Sequence, residues 1–124
     1  MVDVVPKDAD CIFCRIVAGE IPAKLIAESA NTIAIHDIQP DAPLHGLVIP
    51  KGHYPTVGDL AKVAPEQVGE LVELADKVAA QEADGNYRLI FNNGASAGQS
   101  VFHAHGHVVG GKTLGWNPSD SPSH

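Results

Sequence analysis

The sequence predicts an α+β domain in which a five-stranded antiparallel sheet carries one long and one short helix. Three observations support this fold class. Five segments have the length and apolar composition of strands. One longer segment has apolar residues at three- and four-residue spacing, which is typical of an amphipathic helix. The predicted order is a short helix, three strands, the long helix and two strands, and it favours an antiparallel sheet covered by helices on one face.

The first half of the chain contains the short helix and three of the strands. The segment "CIFCRIVAGEIPA", residues 11–23, predicts a short helix that ends near Gly19. "AKLIAES" and "NTIAIHDI" have the composition of strands and are joined by a polar turn at residues 29–31, so a hairpin is predicted. A proline-rich loop then leads into a third strand over residues 46–50.

The second half contains the long helix and the last two strands. Between Pro65 and Ala83 one side of the predicted helix is apolar and the other is charged, and Gly85 is placed to end it. The apolar side carries Val68, Leu71, Val72, Ala75, Val78 and Ala79. The strands are predicted in "NYRLIFNN" and "FHAHGHVVG", and the loop "NGASAGQS" between them is rich in small residues.

Length and composition predict a single domain over residues 11–116. The 124 residues, of which 44% are hydrophobic, can form one hydrophobic core. Residues 1–10 and 117–124 are polar and contain proline, so flexible ends are predicted. A net charge of -7 argues against nucleic-acid binding, because phosphate backbones recruit basic surfaces. No signal-peptide pattern and no apolar run of about 18 residues is present, so a cytoplasmic protein without a membrane partner is expected.

The stretch "HAHGHVV" carries three histidines at alternate positions, His103, His105 and His107. If the whole stretch is a strand, the three side chains share one face, and the outer two lie about 13 Å apart. One zinc ion cannot easily take all three from a straight strand, so at least one histidine must have another role. A neutral imidazole is a good nucleophile toward phosphorus, which favours covalent catalysis. The alternative is a row of polar residues on an exposed strand.

The residues around this stretch resemble the histidine-triad (HIT) family, and in particular its Hint-like branch. "QSVFHAHGHVVGG" resembles the family signature of three histidines that alternate with apolar residues. The likeness continues through "IPAK", "HDIQPDAPLHGLVIPKGH" and "NYRLIFNNGASAGQS", and the ending "GGKTLGW" resembles that of the Hint-like branch. Ala104 and Gly106 are smaller than the residues usual there, which predicts weaker packing behind the catalytic strand.

The resemblance implies a role for each matching residue. His105 would be the nucleophile, while His107, His45 and Ser100 would contact the phosphate and the leaving group. Asn92 and Gln99 would orient the phosphate. The glycines of "NGASAGQS" are also expected to let backbone N–H groups approach an anion. Asp37 would bind the ribose hydroxyls, and a purine slot would be lined by Ile12, Phe13, Ile16, Ile35, His36 and Ile38.

Cys11 and Cys14 form a C-x-x-C motif, which is typical of a metal half-site or a redox pair in a chain without an export signal. Similarity to bacterial members of the family implies a structural zinc held by these two cysteines, His53 and His103. Free thiols and a thioredoxin-like redox pair remain as alternatives. The chemical step itself would need no metal.

The function that the resemblance implies is hydrolysis of purine nucleoside 5′-phosphoramidates, or related nucleoside monophosphate conjugates, through a covalent nucleotidyl-histidine intermediate. Three alternatives stay open. They are a metal-dependent hydrolase that uses His103 and His105, a dinucleoside polyphosphate hydrolase, and a nucleotide- or zinc-binding module without turnover. The resemblance also implies a homodimer whose sheet continues across both subunits, with Trp116 near the partner's site.

Overall fold

The structure, a computed structural model, describes residues 8–37 and 42–115. Its described part contains five strands and three α-helices, with a short 3₁₀ turn at Ala95–Ala97. The helices are α1 (Ile12–Val17), α2 (Val57–Val63) and α3 (Pro65–Glu82). The strands are β1 (Leu25–Glu28), β2 (Thr32–His36), β3 (Leu44–Pro50), β4 (Tyr87–Ile90) and β5 (Gly106–Gly110). The predicted α+β class with a five-stranded sheet is confirmed.

All neighbouring strands of the sheet are antiparallel, in the order β1-β2-β3-β5-β4. β3 lies at the centre, and every one of its residues is buried. This burial follows from the helices, because both faces of the sheet are covered. β1 and β4 form the two edges of the sheet.

The helices cover opposite faces of the sheet, and the expectation of helices on one face is wrong. α3 packs through Leu71, Ala75 and Val78 onto the face that carries Ala34 and Val48. α1 packs through Phe13 onto the other face, with Cys11 beside it, and this face carries Ile33, Ile35, Leu47 and Ile49. Side chains alternate across a strand, so β2 and β3 supply apolar residues to both cores. The second core is what brings α1 against the histidines.

α3 agrees with its predicted bounds, with two differences in its buried side. Pro65 occupies its first turn, where a missing N–H costs nothing. The helix ends before Gly85, which adopts a positive φ of 88° and donates its N–H to the carbonyl of Ala79. Val72 was predicted on the apolar side but is 40% exposed, whereas Leu74, which the prediction omitted, is buried. The apolar side is therefore centred about one residue away from the predicted position.

α2 is a second short helix, in addition to the one long and one short helix that the sequence predicts. Val57 and Gly58 are poor helix formers, which weakens the helical signal of a segment of only seven residues. The available signal was the cap at Thr56. Its hydroxyl accepts the N–H of Asp59 at 3.1 Å and donates to the Asp59 carboxylate at 2.9 Å, which resembles a capping box.

Glu70 on α3 holds the turn that joins β1 to β2. Its carboxylate accepts hydrogen bonds from the Ser29 hydroxyl, from the Asn31 backbone N–H at 2.7 Å and from the Asn31 side-chain amide at 2.9 Å. Burial alone would raise the pKa of Glu70, but the hydrogen bonds from Ser29 and Asn31 outweigh it and the pKa is lowered. The ionised carboxylate therefore fixes this edge of the sheet to the helix.

Glu70→Gln is expected to lower the free energy of unfolding by about 1–2 kcal/mol at pH 7, because an amide nitrogen cannot accept the bonds that one carboxylate oxygen accepts. Because the pKa of Glu70 is lowered in the folded state, its carboxylate stabilises the fold above the ordinary pKa of 4.5. This stabilisation is lost as pH falls through the pKa of the folded state. The wild type should therefore lose more stability than the variant between pH 7 and pH 4. Urea unfolding at both pH values measures this, with Glu73→Gln on the exposed side of α3 as the control. Equal losses of unfolding free energy for Glu70→Gln and Glu73→Gln at pH 7 would contradict the role of Glu70 in holding the turn.

β5 begins only at Gly106, so the predicted strand through all three histidines is wrong for His103 and His105. The reason lies in the backbone hydrogen bonds. The N–H of Ala104 donates to the carbonyl of Tyr54 at 2.6 Å and does not join the ladder with β3. Only His107 lies in β5, where it pairs with Leu47.

The smaller residue at Gly106 does not weaken the packing, contrary to expectation. A Cβ at this position would lie 2.9 Å from both Leu89 Cδ1 and Phe91 Cε1, so these side chains already fill the space. At the N-terminal end, residues 8–10 form a turn in which Cys11 donates to the carbonyl of Asp8. The rest of the ends predicted to be flexible, residues 1–7 and 117–124, lies outside the described residues, and among those described no helix is long and apolar enough to cross a membrane.

Candidate active site

The predicted histidines meet on the face of the sheet that α1 covers. His45 lies on β3 and His107 on β5, and both side chains point to the same face as Leu47. His105 lies one residue before β5 and is buried, with 3% of its surface exposed. Two segments that are distant in the sequence, β3 and the start of β5, therefore bring the imidazoles together.

The hydrogen bond of His105 determines which of its nitrogens can act as a nucleophile. Nδ1 of His105 lies 2.8 Å from the carbonyl oxygen of His103. A carbonyl oxygen can only accept, so Nδ1 carries the proton and donates it. In the neutral ring the lone pair is then on Nε2, which is the nitrogen that could attack phosphorus.

Two rings hold the His105 imidazole in place. Phe13 of α1 makes an edge contact with it at a centroid distance of 4.9 Å, and the ring of His107 lies 5.3 Å away. Phe13 was predicted to line the purine slot, but it is buried against His105 and His103. Its contacts therefore indicate a positioning role.

Asp37, His45 and His107 form a continuous polar contact. Nε2 of His45 lies 3.2 Å from a carboxylate oxygen of Asp37 and 3.0 Å from Nδ1 of His107. An ionised carboxylate only accepts hydrogen bonds, so Nε2 of His45 carries a proton and donates it toward Asp37. Because all three side chains are buried, this network is shielded from bulk water.

A groove of about 800 Å³ lies beside these residues. Five of its lining residues were predicted for the nucleotide site, namely Ile12, Ile16, Ile35, His36 and Asp37. The groove also has residues 21–24 along one side, which the sequence analysis used only as a family motif. Lys24 brings a positive charge to the wall of the groove. Ile38, also predicted for this site, lies outside the described residues.

The loop that follows β4 uses its polar groups mainly to hold itself in shape. The buried Gln99 amide donates to the carbonyls of Pro55 and Val101 at 2.7 and 2.9 Å and accepts the N–H of Gly94 at 2.8 Å. The N–H of Gly98 is bonded to Ala95 within the loop. These two glycine N–H groups are therefore already bonded within the loop, and anion binding by the other backbone N–H groups of the loop stays a prediction. Gln99 is placed to position the loop.

Two other predicted residues of this loop, Asn92 and Ser100, lie in different surroundings. Asn92 lies against Gly98, where a Cβ would be 3.7 Å from the Asn92 amide nitrogen. Ser100 is exposed and lines a cleft of about 340 Å³ together with Cys11 and His53. The predicted contact of Ser100 with the leaving group stays a prediction.

The four predicted metal ligands lie together next to α1. Cys11, Cys14, His53 and His103 form one group whose potential ligand atoms lie within 4.8 Å of one another. Nδ1 of His103 lies 3.3 Å from Cys11 Sγ and 3.3 Å from Nδ1 of His53. Cys14 Sγ is 3.3 Å from Nδ1 of His53. These spacings match the edges of a tetrahedron around zinc, which are about 3.3–3.6 Å for bonds of about 2.0–2.3 Å.

The protonation of His103 also suits a metal ligand. Its Nε2 lies 2.7 Å from the carbonyl oxygen of Pro50 and must be the donor, so the lone pair on Nδ1 faces the cysteines. Burial lowers the pKa of His103 to about 4, although the bond to Pro50 acts in the other direction. Burial also raises the pKa of the Cys14 thiol. The donor set of two sulfurs and two imidazoles therefore fits a structural zinc.

His105 belongs to neither group of potential metal ligands among the described residues. The second group is Asp37, His45 and His107. A metal-dependent hydrolase that uses His103 and His105 on one ion is therefore not supported. Trp116, predicted near the partner's site, lies outside the described residues.

Comparison with known proteins identifies the family of the chain. The family model of the HIT domain matches residues 18–114. The chain is 42% identical over 113 residues to an uncharacterized HIT-like protein of Synechocystis, which covers 88% of this chain and 96% of that protein. It is 39% identical over 108 residues to the purine nucleoside phosphoramidase of Escherichia coli K12, across 86% of this chain and 91% of that enzyme.

Solved structures show the same similarity. A HIT family hydrolase from Clostridium thermocellum superposes with a TM-score of 0.84 at 38% identity and covers 90% of this chain and 99% of its own. A HIT family hydrolase from Legionella pneumophila has a TM-score of 0.83 at 40% identity, over 88% and 99% of the two chains.

Proposed function

The chain belongs to the HIT domain family, and on that premise we propose that it hydrolyses purine nucleoside 5′-phosphoramidates or closely related nucleoside monophosphate conjugates. The observation that carries the proposal is the hydrogen bond from Nδ1 of His105 to the His103 carbonyl, which leaves the lone pair of the neutral ring on Nε2. The activity of the Escherichia coli relative supports the substrate class.

In the first step, Nε2 of His105 attacks phosphorus and the bond from phosphorus to the leaving nitrogen breaks. The nucleoside monophosphoryl group is then covalently attached to Nε2, and the leaving nitrogen takes the bonding electron pair together with a proton. His107, whose ring lies 5.3 Å from that of His105, and His45, bonded to His107, are proposed as the proton donors, and Ser100 is the alternative from the loop. The carbonyl of His103 stabilises the positive charge of the substituted ring through its bond to Nδ1–H.

In the second step, water attacks the same phosphorus and the bond from phosphorus to Nε2 breaks. The water gives one proton to the neighbouring base, the monophosphate leaves, and His105 returns to its neutral form. The products are the nucleoside monophosphate and ammonia or an amine. Every step uses protein groups alone, so no metal is required for the chemistry.

The groove beside the histidines is proposed to bind the base and the ribose. Its wall of Ile12, Ile16 and Ile35 offers an apolar slot for a purine, and Asp37 at its end offers an acceptor for ribose hydroxyls. Lys24 brings a positive charge to a chain whose net charge is -7. Gln99, through its bonds to Gly94 and Pro55, and Asn92, which lies against Gly98, are proposed to orient the phosphate indirectly, through the shape of their loop.

A structural zinc is proposed at Cys11, Cys14, His53 and His103. The ion, when bound, supplies a tetrahedral crosslink and no chemistry to the substrate. The ion would join Cys11 and Cys14 of the α1 segment to His53, which follows β3, and to His103, which precedes β5. The thiols are free in the structure and suit the reducing cytoplasm that the sequence predicts as the location.

The proposed covalent intermediate can be trapped directly. The protein is mixed with adenosine 5′-phosphoramidate, quenched in base, where phosphorus–nitrogen bonds to histidine survive, and digested for mass spectrometry. We expect an adenylyl group on the peptide that contains His105. An adduct on His103 or His107, or AMP release without any adduct in a rapid-quench series, would contradict the mechanism.

A homodimer is proposed through the edge strand β4, which would extend the sheet across two subunits. The other edge, β1, is interrupted by a register shift between Leu25 and Ala27, and bulges at an edge disfavour pairing. β4 has no such shift, and all four of its side chains are half-buried. Trp116 is proposed to approach the partner's site.

Sedimentation equilibrium is expected to give twice the mass of the chain. Hydrogen exchange should then show protection of β4 amides that decreases on dilution to the monomer. Protection that follows β1 instead would contradict this choice of edge.

A further inference from the structure

A group of buried side chains beside the proposed nucleophile has the composition of a metal site. It consists of the Asp37 carboxylate, Nε2 of His45 and Nδ1 of His107, and we call it the Asp37–His45–His107 cluster. Its ligand atoms lie within 4.8 Å of one another, although the three residues come from three different parts of the chain. The proposed reaction uses these groups only for hydrogen bonds and proton transfer.

We propose that this cluster is a second metal site, which takes a divalent first-row transition metal ion such as zinc. Around a tetrahedral ion with bonds of about 2.0–2.1 Å, ligand atoms are about 3.4 Å apart. Nε2 of His45 is 3.0 Å from Nδ1 of His107 and 3.2 Å from the Asp37 oxygen. Shifts of a few tenths of an ångström bring these two pairs to that spacing, and the third pair, Asp37 to His107, lies within 4.8 Å. When the ion binds Nε2 of His45, the proton of that nitrogen moves to Nδ1 of the same ring.

The donor set selects the kind of ion. Two imidazole nitrogens and one carboxylate oxygen suit zinc, cobalt(II) or iron(II), whereas magnesium and calcium prefer oxygen donors throughout. Three protein ligands leave at least one coordination position for water. Asp37 lines the groove of about 800 Å³, so an ion and its water can enter from there.

Filling this site inhibits the enzyme. The ion holds the nitrogens of His45 and His107 that the phosphate and the leaving group need, and it holds the carboxylate proposed for the ribose. This consequence rests on the proposed function. The protein then has two metal sites with opposite effects, a stabilising one at the cysteines and an inhibitory one next to His105.

Cobalt(II) titration of the metal-free wild-type chain tests the site, because cobalt absorbs differently with and without thiolate ligands. We expect two bound equivalents, of which only one shows thiolate-to-cobalt charge transfer. Asp37→Asn should weaken the equivalent without thiolate at least about 100-fold, since loss of even an outer hydrogen-bond partner of a metal ligand costs about 10–100-fold. The retained thiolate absorption shows that the variant is folded.

The matched control is His36→Asn, which removes the neighbouring imidazole outside the cluster and should keep both equivalents. A wild type that binds one equivalent, or an Asp37→Asn variant that keeps both, would overturn the second site.

Inhibition is measured separately, with zinc added to protein whose cysteine site is already filled. Hydrolysis of adenosine 5′-phosphoramidate should fall by about 100-fold, the order of a lost general acid. An unchanged rate with two bound ions would overturn the inhibitory effect. Absence of hydrolysis in every metal state would refute the proposed function, while the cobalt titration would still decide whether the site exists.

Discussion

His105→Asn is expected to lower AMP release from adenosine 5′-phosphoramidate by at least about 10⁴-fold, as loss of a catalytic nucleophile does in other enzymes. An amide nitrogen has no lone pair available for attack on phosphorus, so no covalent intermediate can form. The affinity for AMP should change little, because the wall of the groove is formed by other residues. A kcat assay with and without chelator, paired with calorimetric titration of AMP, measures both quantities.

Chemical rescue provides the control for this variant. In His105→Gly, added imidazole can occupy the vacated space next to Phe13 and His107 and restore part of the turnover. Thermal melting and metal content of both variants should match the wild type, which separates lost chemistry from lost folding. If His105→Asn retained more than about a tenth of the wild-type rate, His105 could not be the nucleophile.

Removing the metal is expected to reduce stability strongly while leaving the chemical step in place. An ion present at about 1,000 times its dissociation constant stabilises a fold by about 4 kcal/mol. α1 has only six residues and only Phe13 among them is buried, so a crosslink through Cys11 and Cys14 adds strongly to its attachment to the sheet. Calorimetric melting of the zinc-loaded and chelated protein should show a large drop in the midpoint. Turnover well below the melting range should persist.

The variant that carries both Cys11→Ser and Cys14→Ser gives the matched comparison. It should melt like the chelated wild type and show no response at the cysteine site to added zinc or chelator. A wild type whose melting does not change with zinc would contradict a structural ion at these residues. Loss of all activity on chelation at low temperature would favour metal-dependent catalysis instead.

Much of the fold was predictable because its signals are local. The apolar periodicity of α3 and the composition of the strands lie within single segments, and the bounds of β2 and α3 agree closely with the prediction. β3 begins at Leu44, two residues earlier than predicted. The alternation in "HAHGHVV" failed as a strand signal for His103 and His105. The deciding contact is the bond from Ala104 to Tyr54, some 50 residues away in the chain, and no local pattern reports it.

The candidate site was predictable to the extent that residue type implies chemistry. Cysteines and histidines are natural zinc ligands, so their grouping could be expected. The Asp37–His45–His107 cluster could not, because the resemblance assigned Asp37 to the ribose and His45 and His107 to the phosphate. Their spacing of about 3 Å appears only when β2, β3 and β5 are placed side by side.

His103 contacts both the proposed zinc site and the proposed nucleophile, through different atoms. Its imidazole faces the cysteines, while its backbone oxygen receives the proton of His105. Every amino acid has that oxygen, so substitutions at 103 alter metal affinity without deleting the acceptor that selects the tautomer. Loss of the cysteines and of this imidazole therefore costs stability but leaves in place the acceptor that selects the tautomer of the nucleophile.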